Sequence, residues 1–406
     1  MSDVEAEPGR TVDVTTKPQL IGFLGLARML EAGGGLEVLG PQFEARVARD
    51  ATDAEALLDL STLIFFTANP DYRNIAFDRQ RRALALRQVY LLAPPSNSAT
   101  LELLVLMAPG DMTSNTPVDC LLEGADINVT LLYVLPDHDV IFVAIGESSA
   151  NQILLRQLGE LPALTAKPVV NLPDRIALLT RDRVSEMLKS VPGAAMPATV
   201  MAKRQDLVRV QRREISLDEV MAGGRFPIIV RPPDSQGGKD LVKVDGVEDL
   251  GAYLARLPND EFYISNFIDY SSGDGQFRKY RVVLVQGRPF GCHLAISSNW
   301  MIHYVNANMD ASAAKRKEEE DFFARFDDEF AVKHRESLQS IHERVGLDYL
   351  GIDCAETPDR KLLVFEVDNA AIVHAFDDPA LYPYKPAAMR KIFTAFRAML
   401  AGRARG

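Results

Sequence analysis

The alternation of apolar and polar positions divides the chain into stretches of different period. Residues 1–16 show no apolar period and predict a disordered tail. Over 17–94 apolar residues recur at helical spacing, in Leu57, Leu60, Leu63 and Ile64 and again in Ala76, Ala83 and Leu86. Asp53 is placed to cap the first of these helices, and Asn69-Pro70-Asp71 to break them apart. After Pro94-Pro95 the runs shorten. Segments 101–107, 131–135 and 140–145 are almost wholly apolar, as strands buried on both faces are, and 152–158 reads as a crossover helix. The stretch 95–172 is therefore expected to be a small parallel α/β domain. Its loop 109–115 follows a strand's C-terminal end, where open α/β sheets bind ligands; a plain structural turn fits it as well. From 197 onward hairpins dominate, with strands expected at 226–231, 240–244, 262–268, 279–286, 290–296, 349–354 and 362–367. Helices are expected at 247–257, 331–345 and 386–400. Glu318-Glu319-Glu320-Asp321 reads as the solvated start of a further helix, favoured there by the helix dipole.

Composition narrows the function classes. A length of 406 residues, 47% hydrophobic and 25% charged, suits a globular chain of two or three domains. Lys and Arg number 45 against 56 Asp and Glu, a net charge of −11, which disfavours a nucleic-acid or anionic-membrane partner. No stretch approaches the roughly 20 apolar residues of a membrane span, and the N-terminus lacks a secretory pattern. Three separated cysteines, Cys120, Cys292 and Cys354, suit reduced thiols and a cytoplasmic location.

The densest chemistry lies in the second half. In Phe365-Glu366-Val367-Asp368 the two acids stand two apart, so on a strand they share a face. Asp353, in Gly351-Ile352-Asp353, belongs to the preceding strand and can lie beside them. Three carboxylates on otherwise apolar strands would repel one another unless a cation sits between them, and hard oxygen donors suit Mg²⁺. On spacing alone, three merely exposed strand residues remain the alternative. Upstream, Phe226-Pro-Ile-Ile-Val-Arg231 ends a strand on a fixed cation. Ser235, Gly237, Gly238 and Lys239 follow, a glycine-containing flap able to close over phosphates. Arg281 lies in an apolar strand, and a buried arginine requires an anion.

In this order, the residues resemble the ATP-grasp superfamily, typified by glutathione synthetase, D-alanine–D-alanine ligase and the ribosomal-protein glutamate ligase. The resemblance runs from about 168 to the C-terminus. It rests on Asp182-Arg183, Arg231, 235–239, 265–269, Lys279-Tyr280-Arg281, Asp353 and Glu366-Val367-Asp368. It implies an α/β and α+β ATP-grasp fold: a small parallel α/β pre-domain at 95–172, then an ATP-grasp domain at 173–406. The latter would divide into 173–270 with the nucleotide flap and 271–406 with the metal site. The helical stretch 17–94, built on Leu57, Leu60, Ile64, Ala76, Gln80 and Ala83, resembles one tetratricopeptide-type hairpin and is expected to be an appended helical cap.

The resemblance further implies ATP and Mg²⁺ as cofactors. Arg183, Arg231 and Lys239 would hold phosphates, with Ser235, Gly237 and Gly238 in the flap. Adenine would lie against Ser265, Asn266, Phe267 and Ile268, with Asp269 or Asp274 on the ribose. Asp353, Glu366 and Asp368 would bind metal. Arginine stands where the family usually has two lysines, and Asp368 where it has Asn; the neighbouring Asn369 is the other candidate ligand. Arg281 would neutralise the transferring phosphoryl group. Arg278 and His293 border the acceptor side, to bind a carboxylate or move a proton. His303, His374 and Lys315-Arg316-Lys317 lie near in sequence, and Cys354 reads as a core residue. The implied activity is an ATP-dependent carboxylate–amine ligase passing through an acyl phosphate. Its substrates would be a small-molecule or peptide carboxylate and an amine, and a homodimer is compatible with it. The alternatives are an ATP-grasp phosphotransferase and a nucleotide-binding regulator or scaffold.

Overall fold

The computed structural model describes residues 20–32, 35–67, 69–93, 99–131, 138–165, 167–235 and 237–405. The expected tail at 1–16 lies outside them, as does most of the strand expected at 131–135.

The N-terminal stretch is helical as its period requires, with helices Gly22–Glu31, Leu36–Arg49, Ala54–Phe66 and Arg73–Leu86. Leu57, Leu60, Leu63, Ala76 and Ala83 are all buried in one cluster, so the last two helices pack against each other. Asp53 caps the third helix, its side chain accepting from the Ala56 amide at 2.8 Å. Two buried acids hold the first helix in place. Asp59, within the layer, accepts from the amides of Ile21 and Gly22. Asp119, from the neighbouring α/β unit, accepts from that of Leu24 and so ties the two together.

Next comes a five-stranded sheet of β1 (Tyr90–Leu91), β2 (Leu101–Leu106), β3 (Ile127–Leu131), β4 (Val140–Val143) and β5 (Val169–Val170), in the order β1-β3-β2-β4-β5. All its pairings are parallel except β1 with β3. β4 is apolar throughout and β2 is apolar except for the exposed Glu102, because both of their faces are covered: their apolar residues alternate between two separate cores. The middle strand begins four residues earlier than its apolar run suggested, at Ile127, because it pairs with β2 through Asn128 and Thr130.

The remaining strands are β6 (Ala194–Ala195), β7 (Thr199–Lys203), β8 (Ile228–Arg231), β9 (Val242–Val244), β10 (Glu261–Asn266), β11 (Phe277–Val285), β12 (Arg288–Ser297), β13 (Tyr349–Glu356) and β14 (Leu362–Asp368). They make two sheets, ordered β7-β10-β8-β9 and β12-β11-β13-β14-β6. The first is wholly antiparallel, with the amphipathic helix Val247–Arg256 packed over its core. The second carries helix Lys385–Arg405 on one face, through Met389, Phe393 and Phe396. A small parallel α/β unit followed by two α+β units, behind a helical layer, is the architecture expected. No helix among the described residues is long and apolar enough to cross a membrane.

The acidic run is corrected. Glu318 to Asp321 lie inside helix Ala313–Arg325, whose N-cap is Ser312, and Glu319 is fully buried. Lys315, Arg316 and Lys317 belong to the same helix. The helix expected at 331–345 is interrupted at His334, into Ala331–Lys333 and Arg335–Val345.

Candidate active site

The site is built on one row across the second of these sheets. Register sets His293 of β12 opposite Arg281 of β11, Arg281 opposite Asp353 of β13, and Asp353 opposite Glu366 of β14. Directly opposed residues project to the same face, with strands about 4.8 Å apart. Four reactive side chains thus stand side by side. Two irregularities help: Cys292 in β12 and Phe365 in β14 are extra residues in their ladders, and such bulges re-aim neighbouring side chains.

Arg281 meets Asp353 bidentately, Nε to Oδ1 at 2.7 Å and Nη2 to Oδ2 at 3.0 Å, and its Nη1 donates to the Ile372 carbonyl. Lys279, two residues back on the same face, reaches Asp353 Oδ2 at 2.6 Å. Burial would raise the Asp353 carboxyl, but Arg281 and Lys279 outweigh it and hold the group far below its usual range. Arg181 pairs with Glu366. Against the push of burial, that charge keeps Glu366 ionised. Among the described residues Asp368 has no such cation at salt-bridge distance; burial and the Glu366 charge push its carboxyl up to about 7. Spacing alone calls for a bound metal ion as the cation that reconciles the carboxylates, and for phosphate as the anion of Arg281. In the structure side chains fill both roles, because Lys279, Arg281 and Arg181 converge from two further elements.

Among the described residues no three His, Cys, Asp or Glu side chains lie close enough together to hold a metal ion. The donors nevertheless fit Mg²⁺ in chemistry: Glu366 and Asp368 share a face of β14, with Asp353 across from Glu366. The Asn369 side-chain amide donates to the Ile145 carbonyl just past β4, and its buried Oδ1 has no hydrogen-bond partner among the described residues.

The residues expected on the nucleotide side come together only in part. Arg231, at the end of β8, is buried to 8% exposure and donates to the Ser235 hydroxyl at 3.0 Å and to the Ser235 carbonyl. Burial and the nearby Arg181 charge lower its pKa to about 10, so an anion there would be strongly favoured. Gly237 and Gly238 adopt φ of +60° and +75°, which side-chain-bearing residues resist. They bring the flap against the segment beyond β12: a Cβ on Gly238 would lie 3.0 Å from Met301 Sδ, and one on Gly237 3.5 Å from His303 Nε2. Lys239 is exposed at the flap's base. Ser265 and Phe267 lie at the end of β10 and just past it. The Phe267 ring meets the Trp300 ring edge-on, with Lys243 over its face, and Ile268 packs near Tyr270.

Several expected residues are engaged elsewhere. Arg183 is exposed and donates to the Ala177 carbonyl at 3.3 Å; two positions earlier, Arg181 occupies the site instead, because residues two apart on a helix face different ways. The Asn266 side chain is tied to Gly223 and to the Arg225 amide. Asp269 caps its own turn at Ser271. Arg278 is held by Asp274 and Glu318, hydrogen bonds that raise its pKa further, so Asp274 is not turned to a ribose. Lys315 and Arg316 donate to carbonyls of 307, 309 and 310, and Lys317 pairs with Glu320 and Asp321. Cys354 is a core residue, as expected.

Sequence reasoning missed Arg181, Glu319 and Lys385. Glu319 had a legible signal. Phe322, Phe323 and Phe326 follow it at three, four and seven residues, which places it on the helix's apolar stripe.

The loop 109–115 is docked on the helical layer. Gln80 of the helical layer exchanges two hydrogen bonds with the Gly110 backbone, at 2.8 and 2.9 Å, and Arg73 pairs with Asp111. A cavity of about 140 Å³ lies beneath, lined by Phe23, Asp59, Phe65, Met107 and Thr116 among others. Gly351 brings the segment after β14 against the sheet: a Cβ there would sit 2.6 Å from that of Ala371.

No family model matches the chain. It is similar to the alpha-aminoadipate–LysW ligase LysX of Saccharolobus solfataricus, 25% identical over 150 residues. That match covers 36% of this chain and 48% of that protein, so the chain spans about half the length of the curated relative it matches. Among solved structures, the D-Ala:D-Ser ligase VanG of Enterococcus faecalis superposes with a TM-score of 0.48 at 14% identity, over 74% of this chain and 99% of that one. A RimK domain protein ATP-grasp of Sphaerobacter thermophilus gives 0.43 at 16% identity, over 75% and 100%. The D-alanine–D-alanine ligase of Coxiella burnetii gives 0.48 at 12%, over 75% and 96%.

Proposed function

We propose that the chain is an ATP-dependent carboxylate–amine ligase of the ATP-grasp type, working in the cytoplasm on a small-molecule or peptide carboxylate and an amine. The observation that carries this reading is the row His293, Arg281, Asp353, Glu366, with Arg231 and the glycine flap close by. Both carboxylates of the row have side-chain cations, Asp353 from Arg281 and Lys279 and Glu366 from Arg181, so a polyphosphate and a carboxylate can exchange partners with them without leaving a buried charge unpaired. The match to a named ligase supports the same reading.

Arg231, Arg181 and Lys239 bind the phosphates, the flap covers them, and the adenine lies by Ser265, Phe267 and Ile268. Asp353, Glu366 and Asp368 would hold Mg²⁺, which neutralises phosphate charge during transfer. Arg281 turns from Asp353 toward the charge that grows on the γ-phosphoryl group as a substrate carboxylate oxygen attacks it. An amine then displaces phosphate from the acyl carbon. The products are an amide, ADP and phosphate.

The test is ADP release by the full chain with ATP and Mg²⁺ across a panel of amino acids, short peptides and small carboxylates, with products read by mass. ADP release that depends on both an acid and an amine, with an amide of the summed mass less water, is expected. ADP release with a phosphorylated product and no amide would mean a phosphotransferase. Nucleotide binding without turnover would mean a regulator.

A further inference from the structure

Beside Arg281 lies a buried polar cluster that phosphoryl transfer does not use. Its centre is Glu319, fully buried on helix Ala313–Arg325. One carboxylate oxygen meets His293 Nδ1 at 3.0 Å and accepts from the Leu294 amide at 3.2 Å; the other accepts from the Tyr384 hydroxyl at 2.7 Å. Lys385 Nζ lies 3.6 Å from Glu319 and 3.4 Å from Asp377, and is itself buried. His374 stands 3.8 Å from Asp377 and stacks on Phe376.

Burying this many charges is costly unless each has partners. Here the partners fix a state of His293. Glu319 is kept ionised, since the His293 hydrogen bond, the Lys385 charge and the Tyr384 hydroxyl outweigh its burial. His293 is pushed toward its neutral form by burial, with the Lys385 and Arg281 charges acting the same way and Glu319 opposing them. A neutral imidazole beside an ionised carboxylate donates its Nδ1 proton to it, which leaves Nε2 as the basic nitrogen. His293 is 17% exposed at the side chain, though its Nε2 is itself buried, while Glu319 is 0% exposed.

Place in the row supplies the role. Carboxylates for a metal ion stand at the Glu366 and Asp353 end, the cation for phosphoryl charge at Arg281, and a base one strand further on. Resting on the ligase reading, we infer that His293 takes the proton from the attacking amine, and that Glu319 is the positioning residue that fixes its tautomer. In this step the amine nitrogen forms a bond to the acyl carbon. The bond from that carbon to the phosphate oxygen breaks, its electron pair leaving with inorganic phosphate. The proton passes from nitrogen to His293 Nε2.

The two half-reactions separate the claim from its parent. Hydroxylamine is uncharged at neutral pH and traps an acyl phosphate without a base; the amine substrate needs one. With ATP, Mg²⁺ and whichever panel carboxylate supports turnover, His293→Gln should form hydroxamate within about threefold of the parent rate. Amide formation should fall by roughly 10²-fold or more. That deficit should shrink as pH rises and the amine deprotonates unaided. Glu319→Gln should lower amide formation about tenfold or more, and move the acid limb of kcat/KM to lower pH, because the anion favouring imidazolium is gone. The groups facing His293 in that titration are Glu319, Arg281, Lys385, Tyr384, His374 and Asp377. Equal loss of hydroxamate and amide in both variants overturns the base assignment and leaves the ligase standing. So does amide formation unchanged in His293→Gln. A parent that forms hydroxamate from none of the panel carboxylates overturns the ligase reading, and this inference with it.

Discussion

The Arg281 guanidinium lies across Asp353 with both Nε and Nη2, at 2.7 and 3.0 Å, from directly opposed positions on neighbouring strands. Bidentate geometry of this kind gives both orientation and energy. It fixes the guanidinium in the row beside His293, while Lys279 remains on Asp353 to compensate it when Arg281 turns away.

A substitution that keeps the charge but loses the fork isolates the role of Arg281. Arg281→Lys should stay folded and lower kcat by roughly 10-fold to 10²-fold, with nucleotide-analogue affinity changed far less. Arg281→Ala should add a lower melting temperature, since Asp353 keeps only Lys279. Steady-state ADP release and analogue titration on the same preparations check it. Weakened nucleotide binding with unchanged turnover would refute the assignment.

Glu366 has a side-chain cation in this arrangement, so metal binding means competition with Arg181. Glu366→Gln should leave the fold intact and raise the Mg²⁺ concentration for half-maximal ADP release about tenfold or more. A Mg²⁺ titration of turnover reads this directly, and an unshifted midpoint would remove Glu366 from the metal set.

Gly238 lies at φ +75° with its Cβ position 3.0 Å from Met301 Sδ. Gly238→Ala therefore strains the flap twice, through its backbone and through its contact. KM for ATP should rise several-fold while the melting temperature moves little, because the flap carries no core. Kinetics over an ATP series, beside a thermal melt, test this; an unchanged KM would show that the flap does not cover the nucleotide.

Asp59 makes stability depend on pH. Its carboxyl, at about 3.8 when unfolded, is raised to about 7 in the folded chain, first by burial, with the Ile21 and Gly22 amides opposing. Between those values the folded state holds the extra proton. This group's contribution is therefore full below pH 3.8, and falls by up to about 1.4 kcal/mol per pH unit as pH climbs toward 7. Asp59→Asn removes the titration. Its melting temperature should gain on the parent's steadily between about pH 4.5 and 7.5, and parallel pH curves for the two proteins would contradict the buried charge.

Period and order along the chain determined the layers: a helical stretch, short apolar runs, then hairpins. Strand alternation also set Glu366 and Asp368 on one face, with Asp353 on the neighbouring strand, because local spacing fixes which residues share a face. Local chemistry cannot fix partners that arrive from elsewhere. Arg181 and Arg183 are alike in sequence, and only the packing of helix Arg181–Leu188 against β7 and helix Arg335–Val345 sets Arg181 on Glu366. Asp353 reads as a metal ligand by itself, yet register places two cations on it. His293 gained its place through the extra residue at Cys292 in β12, a local irregularity that no period announces. Glu319 sat unmarked in an acidic run until the fold buried it beside that ring. Faces and strands follow from local backbone geometry, which the sequence carries; the pairing of charges follows from long-range packing, which only the tertiary structure decides.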